Sequence, residues 1–239
     1  MGGYNYMKRI LTFSLISALF FGSAFAGDVA SFVDKGFTED GKYYLFGQFG
    51  KTDKKFQGWA EIYQVDIEKN DYVNGGVFKT KPSAVTAAKN GREVFEALEA
   101  KNFSYLGKIK TEQADPEHIL YILDDVNKSG TDEIVFTDFK SDIENPDTFH
   151  IQLVPTINGS GKKVSSSFYI DVEKRDGDGN LIFKKKVGSP DIVRKGVYSY
   201  KIERIVCDKS EKSFIFVVEK MMEDDSGINV RYMVEAAKF

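Results

Sequence analysis

The sequence predicts a mainly β protein: an antiparallel two-layer sheet assembly, sandwich or partial propeller-like, with a helical insert around residues 83–123. Three observations point there. Nine short runs rich in β-branched and aromatic residues recur along the chain, the pattern of strands with one buried face. Between them stand Gly, Asn and Asp, as in Asp40-Gly41 and Asp176-Gly177-Asp178-Gly179-Asn180, which supply the φ > 0 positions of tight hairpins. One stretch alone changes period, with Val85, Ala88, Val94, Phe95 and Leu98 spaced for a single helical face.

Taken in order, the chain opens with an export signal. Lys8 and Arg9 precede an apolar run over 10–21, and Ala24 and Ala26 supply the small residues a signal peptidase reads. The run is too short for a bilayer span, which takes about 20 apolar residues. Residues 1–26 are therefore expected to be removed, leaving 27–239 as a single β-rich secreted domain without a membrane helix. Met7 is the expected start, because it places the charged pair directly after the initiator. Strands are expected at 43–49, 60–67, 133–139, 149–157, 166–173, 181–187, 197–206, 214–220 and 230–236. The helical insert opens at Pro82-Ser83-Ala84 and runs to Lys101, weakened in its middle by Gly91. A second piece starts at Asp115-Pro116-Glu117, an N-cap followed by proline in the first turn, and ends near Leu123.

Composition narrows the partners. Without Lys8 and Arg9 the chain carries 31 basic against 36 acidic residues, a net charge of about −5, which argues against nucleic acid or anionic lipid. Cys207 is the single cysteine, so stability must come from packing rather than disulfides. Its run, Ile205-Val206-Cys207, reads as buried and unreactive. The absence of a cysteine directly after the signal argues against lipid attachment there.

A weak internal repeat is visible. Thr38 to Phe46 aligns without gaps on Asp208 to Phe216, turn on turn, and Tyr63-Gln64-Val65-Asp66 matches Tyr232-Met233-Val234-Glu235. Duplication and the general likeness of amphipathic hairpins both account for it. Asp40-Gly41-Lys42 before an apolar strand resembles the propeller repeat of periplasmic Tol-type proteins, although a closed propeller takes at least four blades and two candidates are present. A closer resemblance covers nearly the whole mature chain. It is carried by Gly36-Phe37, Phe46-Gly47-Gln48-Phe49-Gly50, Ala60-Glu61-Ile62-Tyr63, Val65-Asp66, Asn70-Asp71 and Gly75-Gly76-Val77-Phe78. Further on it continues in Phe136-Thr137-Asp138-Phe139, Ser166-Ser167-Phe168-Tyr169-Ile170, Val187-Gly188-Ser189-Pro190, Arg194-Lys195-Gly196-Val197 and Arg231-Tyr232-Met233-Val234-Glu235. These residues resemble a bacterial family of predicted secreted proteins, a domain of unknown function. The resemblance implies export and brings no activity, substrate or catalytic residue. The chain departs from it at Lys209-Ser210-Glu211, where the family tends to a Pro-Asp-Gly turn.

No constellation specifies chemistry. His118 and His150 lack partners at metal-ligand spacing, and no nucleophile elbow, zinc-protease pair, P-loop or dinucleotide fingerprint occurs. Asp125, Asn127, Ser129 and Gly130 begin like a calcium loop, but Phe136 stands where a closing Glu is needed. Asp176, Asp178 and Asn180 are explained by a tight hairpin. Asp171, Glu219 and Glu235 interrupt apolar strands, and a solvated face accounts for them more simply than paired-carboxylate catalysis. Trp59 with Phe56, Tyr63 and Tyr72 reads as core before a sugar-stacking platform. Phe239 ends the chain as in outer-membrane barrels, yet its period-two neighbours Glu235 and Arg231 would then face lipid. The expectation is a non-catalytic exported module, periplasmic or secreted, that binds an envelope protein or small ligand, with no cofactor, metal or catalytic residue. A secreted hydrolase using two carboxylates and an outer-membrane barrel are the competing readings.

Overall fold

The computed structural model describes residues 28–123, 133–138, 140–224 and 227–239. The leader with Ala24 and Ala26, the Asp125 to Gly130 loop and the end of the expected strand at Phe139 lie outside the described residues. From the N-terminus the strands are β1 (Asp28–Val29), β2 (Ser31–Thr38), β3 (Tyr43–Lys51), β4 (Gly58–Asp66) and β5 (Asp71–Thr80). Helices α1 (Gly91–Lys101) and α2 (Phe103–Leu106) follow. Then come β6 (Thr111–Glu112), β7 (Ile119–Ile122), β8 (Ile134–Thr137), β9 (Thr148–Asn158), β10 (Ser165–Arg175) and β11 (Leu181–Val187). The last are β12 (Arg194–Lys195), β13 (Val197–Cys207), β14 (Ser213–Asp224) and β15 (Gly227–Lys238). The protein is mainly β and antiparallel throughout, apart from the short parallel pairing of β1 with β15.

The strands form three sheets. One runs β5-β4-β3-β2-β6, a central one β1-β15-β14-β13-β7, and a third β11-β10-β9-β8 with β12 beside β10. The two-layer contact expected from the sequence recurs at two interfaces, because the central sheet is apolar on both faces. Phe214, Phe216 and Val218 of β14 join Phe149, Ile151, Phe168 and Ile170 of the third sheet. Ile215 and Val217 join Phe46, Tyr63 and Val65 of the first. A strand covered on both sides reads as a continuous apolar run rather than an alternating one, and residues 213–218 are buried without a break. Helix α1 then covers the outer face of the first sheet through Val94, Phe95 and Leu98.

The helical insert differs from its expected bounds. Ala84–Thr86 is a single 3-10 turn, and Val85 is 80% exposed. Helix α1 begins only at Gly91, where Asn90 and Glu93 form a capping box: Glu93 N donates to Asn90 Oδ1 at 2.9 Å and Asn90 N to Glu93 Oε2 at 2.7 Å. Gly91 thus opens the helix instead of weakening its middle. The second expected helix stops after the turn Pro116–His118, and Ile119–Ile122 pairs with β13 at the sheet edge. Asp115 stands at the N-cap position with Pro116 in the first turn but makes no side-chain capping bond, and Ile119, Tyr121 and Ile122 fit a half-buried strand better than another helical turn.

The repeat corresponds to a shared meander, β2-β3-β4 against β13-β14-β15. Thr38 Oγ1 accepts from Tyr43 N at 3.0 Å, and at the aligned positions Asp208 Oδ1 accepts from Ser213 N at 2.9 Å. Gly41 and Glu211 align and are both left-handed, at φ 63° and 54°. The late turn therefore keeps the shape of the early one despite losing its glycine.

Candidate functional site

The strand acids have different fates. Asp171 lies on the outer face of the third sheet, 3.3 Å from Lys184, as a solvated acid should. Glu235 is 6% exposed. It lines a cleft of about 810 Å³ that opens along β15, between the turn joining β4 to β5 and the loop joining β11 to β12. The cleft exists because β15 is nearly the last strand of its sheet: β1 covers it only at Asn229 and Val230. Side chains of the first sheet satisfy two of the exposed edge amides. Gln48 Oε1 accepts from Tyr232 N at 2.8 Å and Asn70 Oδ1 from Ala236 N at 2.6 Å, which blunts the edge against strand addition.

Asn70 also donates from Nδ2 to Glu235 Oε2 at 2.6 Å, while Arg194 Nη2 lies 3.7 Å from Glu235 Oε1. Residues from the β4–β5 turn, β12 and β15 therefore meet here. Burial pushes the Glu235 carboxyl above the usual range, against the opposing pull of Asn70 and Arg194. Lys220, from β14, lines the same cleft, and burial first, then Arg194, lowers its amine to about 8. Lys69, Lys185, Lys186, Arg194, Lys220 and Lys238 line the cleft against Glu68, Asp71 and Glu235. Cations thus outnumber carboxylates two to one on a chain that is acidic as a whole. Asn70, Gly188, Ser189, Arg194 and Glu235, scattered through the sequence, all belong to the segments that carry the family resemblance and all line this cleft.

Sequence reasoning weighed Glu235 and missed Lys220. The signal was available, since an ammonium at the end of the run 214–219 is as costly as a carboxylate within one. Arg194 and Asn70 stood out only as part of the family resemblance, because their role depends on what folds beside them.

The other candidates lie outside this cleft. Cys207 is buried, its Sγ directed at the His118 carbonyl at 3.6 Å, and burial, then Glu211 and Asp208, pushes the thiol up to about 12, far from reactive. His150 bonds Glu133 at 3.0 Å and Thr148 at 3.1 Å. His118, Asp115 and Glu117 bring one ligand atom each within 4.8 Å, with only the histidine buried. Asp176 closes its hairpin through Asp178 N and Asn180 N. Trp59 is buried, with Arg231 3.9 Å above its ring, and Tyr63 stacks on Phe46 at 4.8 Å. Phe56 is exposed, so the aromatic group forms no platform. Phe239 packs against Phe214 at 4.8 Å and Phe183 at 5.5 Å, inside the core rim rather than on a lipid-facing stripe. Each of the three sheets has two ends, so the described strands close no ring. No helix among the described residues is long and apolar enough to cross a membrane.

A family model described as "Predicted secreted protein (DUF2259)" matches residues 45–238. No curated protein and no solved structure matches the chain.

Proposed function

The chain belongs to this family of predicted secreted proteins, and on that premise we propose that it acts in the periplasm or the medium as a non-catalytic binding module whose ligand occupies the cleft along β15. The observation that carries the reading is the meeting of Asn70 from the β4–β5 turn, Arg194 from β12 and Glu235 from β15 in a polar recess large enough for a small molecule. Export through removal of residues 1–26 fits the Lys8-Arg9 pair, the apolar run and Ala24 and Ala26.

The competing hydrolase reading asks for two carboxyls facing one bond. What surrounds Glu235 is an amide and a guanidinium, which favours holding a ligand over cleaving one. Asp34 and Glu203 are also raised by burial, but neither lines the cleft.

The test is a thermal-shift screen of the purified mature protein against glycans, peptides and small metabolites, repeated on Arg194→Ala. A ligand that raises the melting temperature of the parent and not of the variant is the expected result. Turnover of a chromogenic glycoside or ester, lost in Glu235→Gln, would overturn the non-catalytic reading. Recovery of the intact precursor among cytosolic proteins would overturn export.

A further inference from the structure

We propose that the cleft along β15 is an oxyanion site, in which a phosphate or carboxylate group of a small ligand is held between Lys220 and Arg194. The proposal rests on that cleft being the ligand site and names the chemistry that fills it.

Lys220 is the reason. Among the described residues its ammonium has no hydrogen-bond or ion-pair partner, and every nearby carboxylate is already engaged. Glu61, the acid from the first sheet that acts on it, is bound by Lys79 at 3.0 Å, Gln48 at 2.9 Å and the Tyr63 hydroxyl at 2.5 Å. Glu235 is taken by Asn70 and faces Arg194. The other charges acting on Lys220 are the cations Arg194, Lys79 and Arg231, and Arg231 is itself committed to Asp28 at 2.6 Å. A desolvated cation without a counter-charge is costly. An oxyanion arriving from solvent supplies that charge.

Arg194 has donors to spare. Its guanidinium lies over the Phe168 ring at 4.9 Å, one Nη1 hydrogen goes to the Ile192 carbonyl at 3.2 Å, and the 3.7 Å to Glu235 is longer than a charge-assisted hydrogen bond, about 2.7–2.9 Å. A planar fork with free N–H groups suits a carboxylate or phosphate. Further out, the cation excess at the cleft draws anions toward it although the protein as a whole repels them. Gln48 and Asn70 already satisfy the exposed edge amides of Tyr232 and Ala236, so the site favours a small molecule over a peptide added as a strand.

Binding is then linked to protonation. An amine lowered to about 8 must be charged to hold the anion, so affinity is full below that value and falls roughly tenfold for each pH unit above it. Glu61, Arg194, Lys79 and Arg231 are the charged groups that act on Lys220 and Glu235 lines the same cleft; burial first, then the three cations, keeps the amine low until an anion enters.

The experiment is isothermal titration of the mature protein with succinate, inorganic phosphate and, as a neutral probe, maltose, each at pH 6.5 and 9.5. Succinate keeps its charge across this range, so its pH profile reports the protein. The expected result is that one or both anions bind at pH 6.5 and at least tenfold more weakly at 9.5. Lys220→Met abolishes binding, whereas Lys220→Arg binds equally at both pH values. Which anion binds separates carboxylate from phosphate ligands. Equal affinity at the two pH values in the parent, or undiminished binding by Lys220→Met, overturns the proposal. Maltose binding without either anion overturns the oxyanion assignment and leaves the cleft as a ligand site. Silence from all three probes, with no change in the amide resonances of residues 185–194 and 231–236, overturns the assignment together with the cleft.

Discussion

Lys220 and Asp34 show how burial, as the largest of several influences, shifts charged residues whose cost the sequence does not reveal. Lys220 sits lowered to about 8, so between pH 8 and about 10.4, the ordinary lysine value, the folded state binds fewer protons than the unfolded one and its stability rises with pH. Lys220→Met removes the desolvated charge and is expected to stabilise the ligand-free protein by about 1–2 kcal/mol at pH 7. Urea melts should show that gain shrinking as the pH climbs from 8 to 10. Asp34 runs the other way. Burial raises its carboxyl, opposed by the Tyr44 hydroxyl at 2.9 Å and by Arg204. A raised acid contributes stability that is complete below its unfolded value and is lost as pH rises through its folded one. Asp34→Asn keeps an acceptor for Tyr44 and should flatten part of the fall in melting temperature between pH 4 and 7; an unchanged slope would show that Asp34 ionises freely in the folded protein.

Among elements, the two hairpin turns and the start of α1 carry the clearest predictions. Glu211 occupies a left-handed position that glycine takes in the aligned turn at Gly41. Its contacts, Lys140 at 3.7 Å and His118 at 4.0 Å, are too long to add much. Glu211→Gly should therefore stabilise the protein by roughly 1 kcal/mol, read as a shift in the denaturation midpoint. Gly91→Ala should do the opposite of what helix propensity suggests. A methyl there would stand 2.8 Å from the Gly50 carbonyl oxygen and 2.9 Å from Phe49 Cδ2, so seating it forces α1 off the first sheet at a cost of about 1–3 kcal/mol.

At the scale of the whole molecule, the N-terminal strand ties the first sheet to the central one. Asp28 is 2% exposed and accepts from Trp59 Nε1 at 2.8 and 2.9 Å and from Arg231 at 2.6 Å. Asp28→Ala leaves the guanidinium and the indole N–H without their acceptor and should cost about 3–5 kcal/mol. Trp59 is the single tryptophan, so its emission should move to the red in the folded variant; an unchanged spectrum and midpoint would mean that β1 contributes nothing to holding the sheets together.

Period-two alternation, turn glycines and β-branched runs are local properties, so the sequence alone determined the β class, most of the strands, the likeness of the two meanders and the family with its expectation of export. Residues 119–122 and 84–90 were misjudged because a cap or a proline fixes where a helix can begin, while the packing of distant strands fixes how far it continues. The third sheet, the double burial of β14 and the cleft belong to tertiary structure. Asn70, Arg194, Lys220 and Glu235 lie far apart in the chain, or on different strands, and neither their proximity nor the desolvation that makes Lys220 costly exists until three sheets have stacked and left the edge of β15 open.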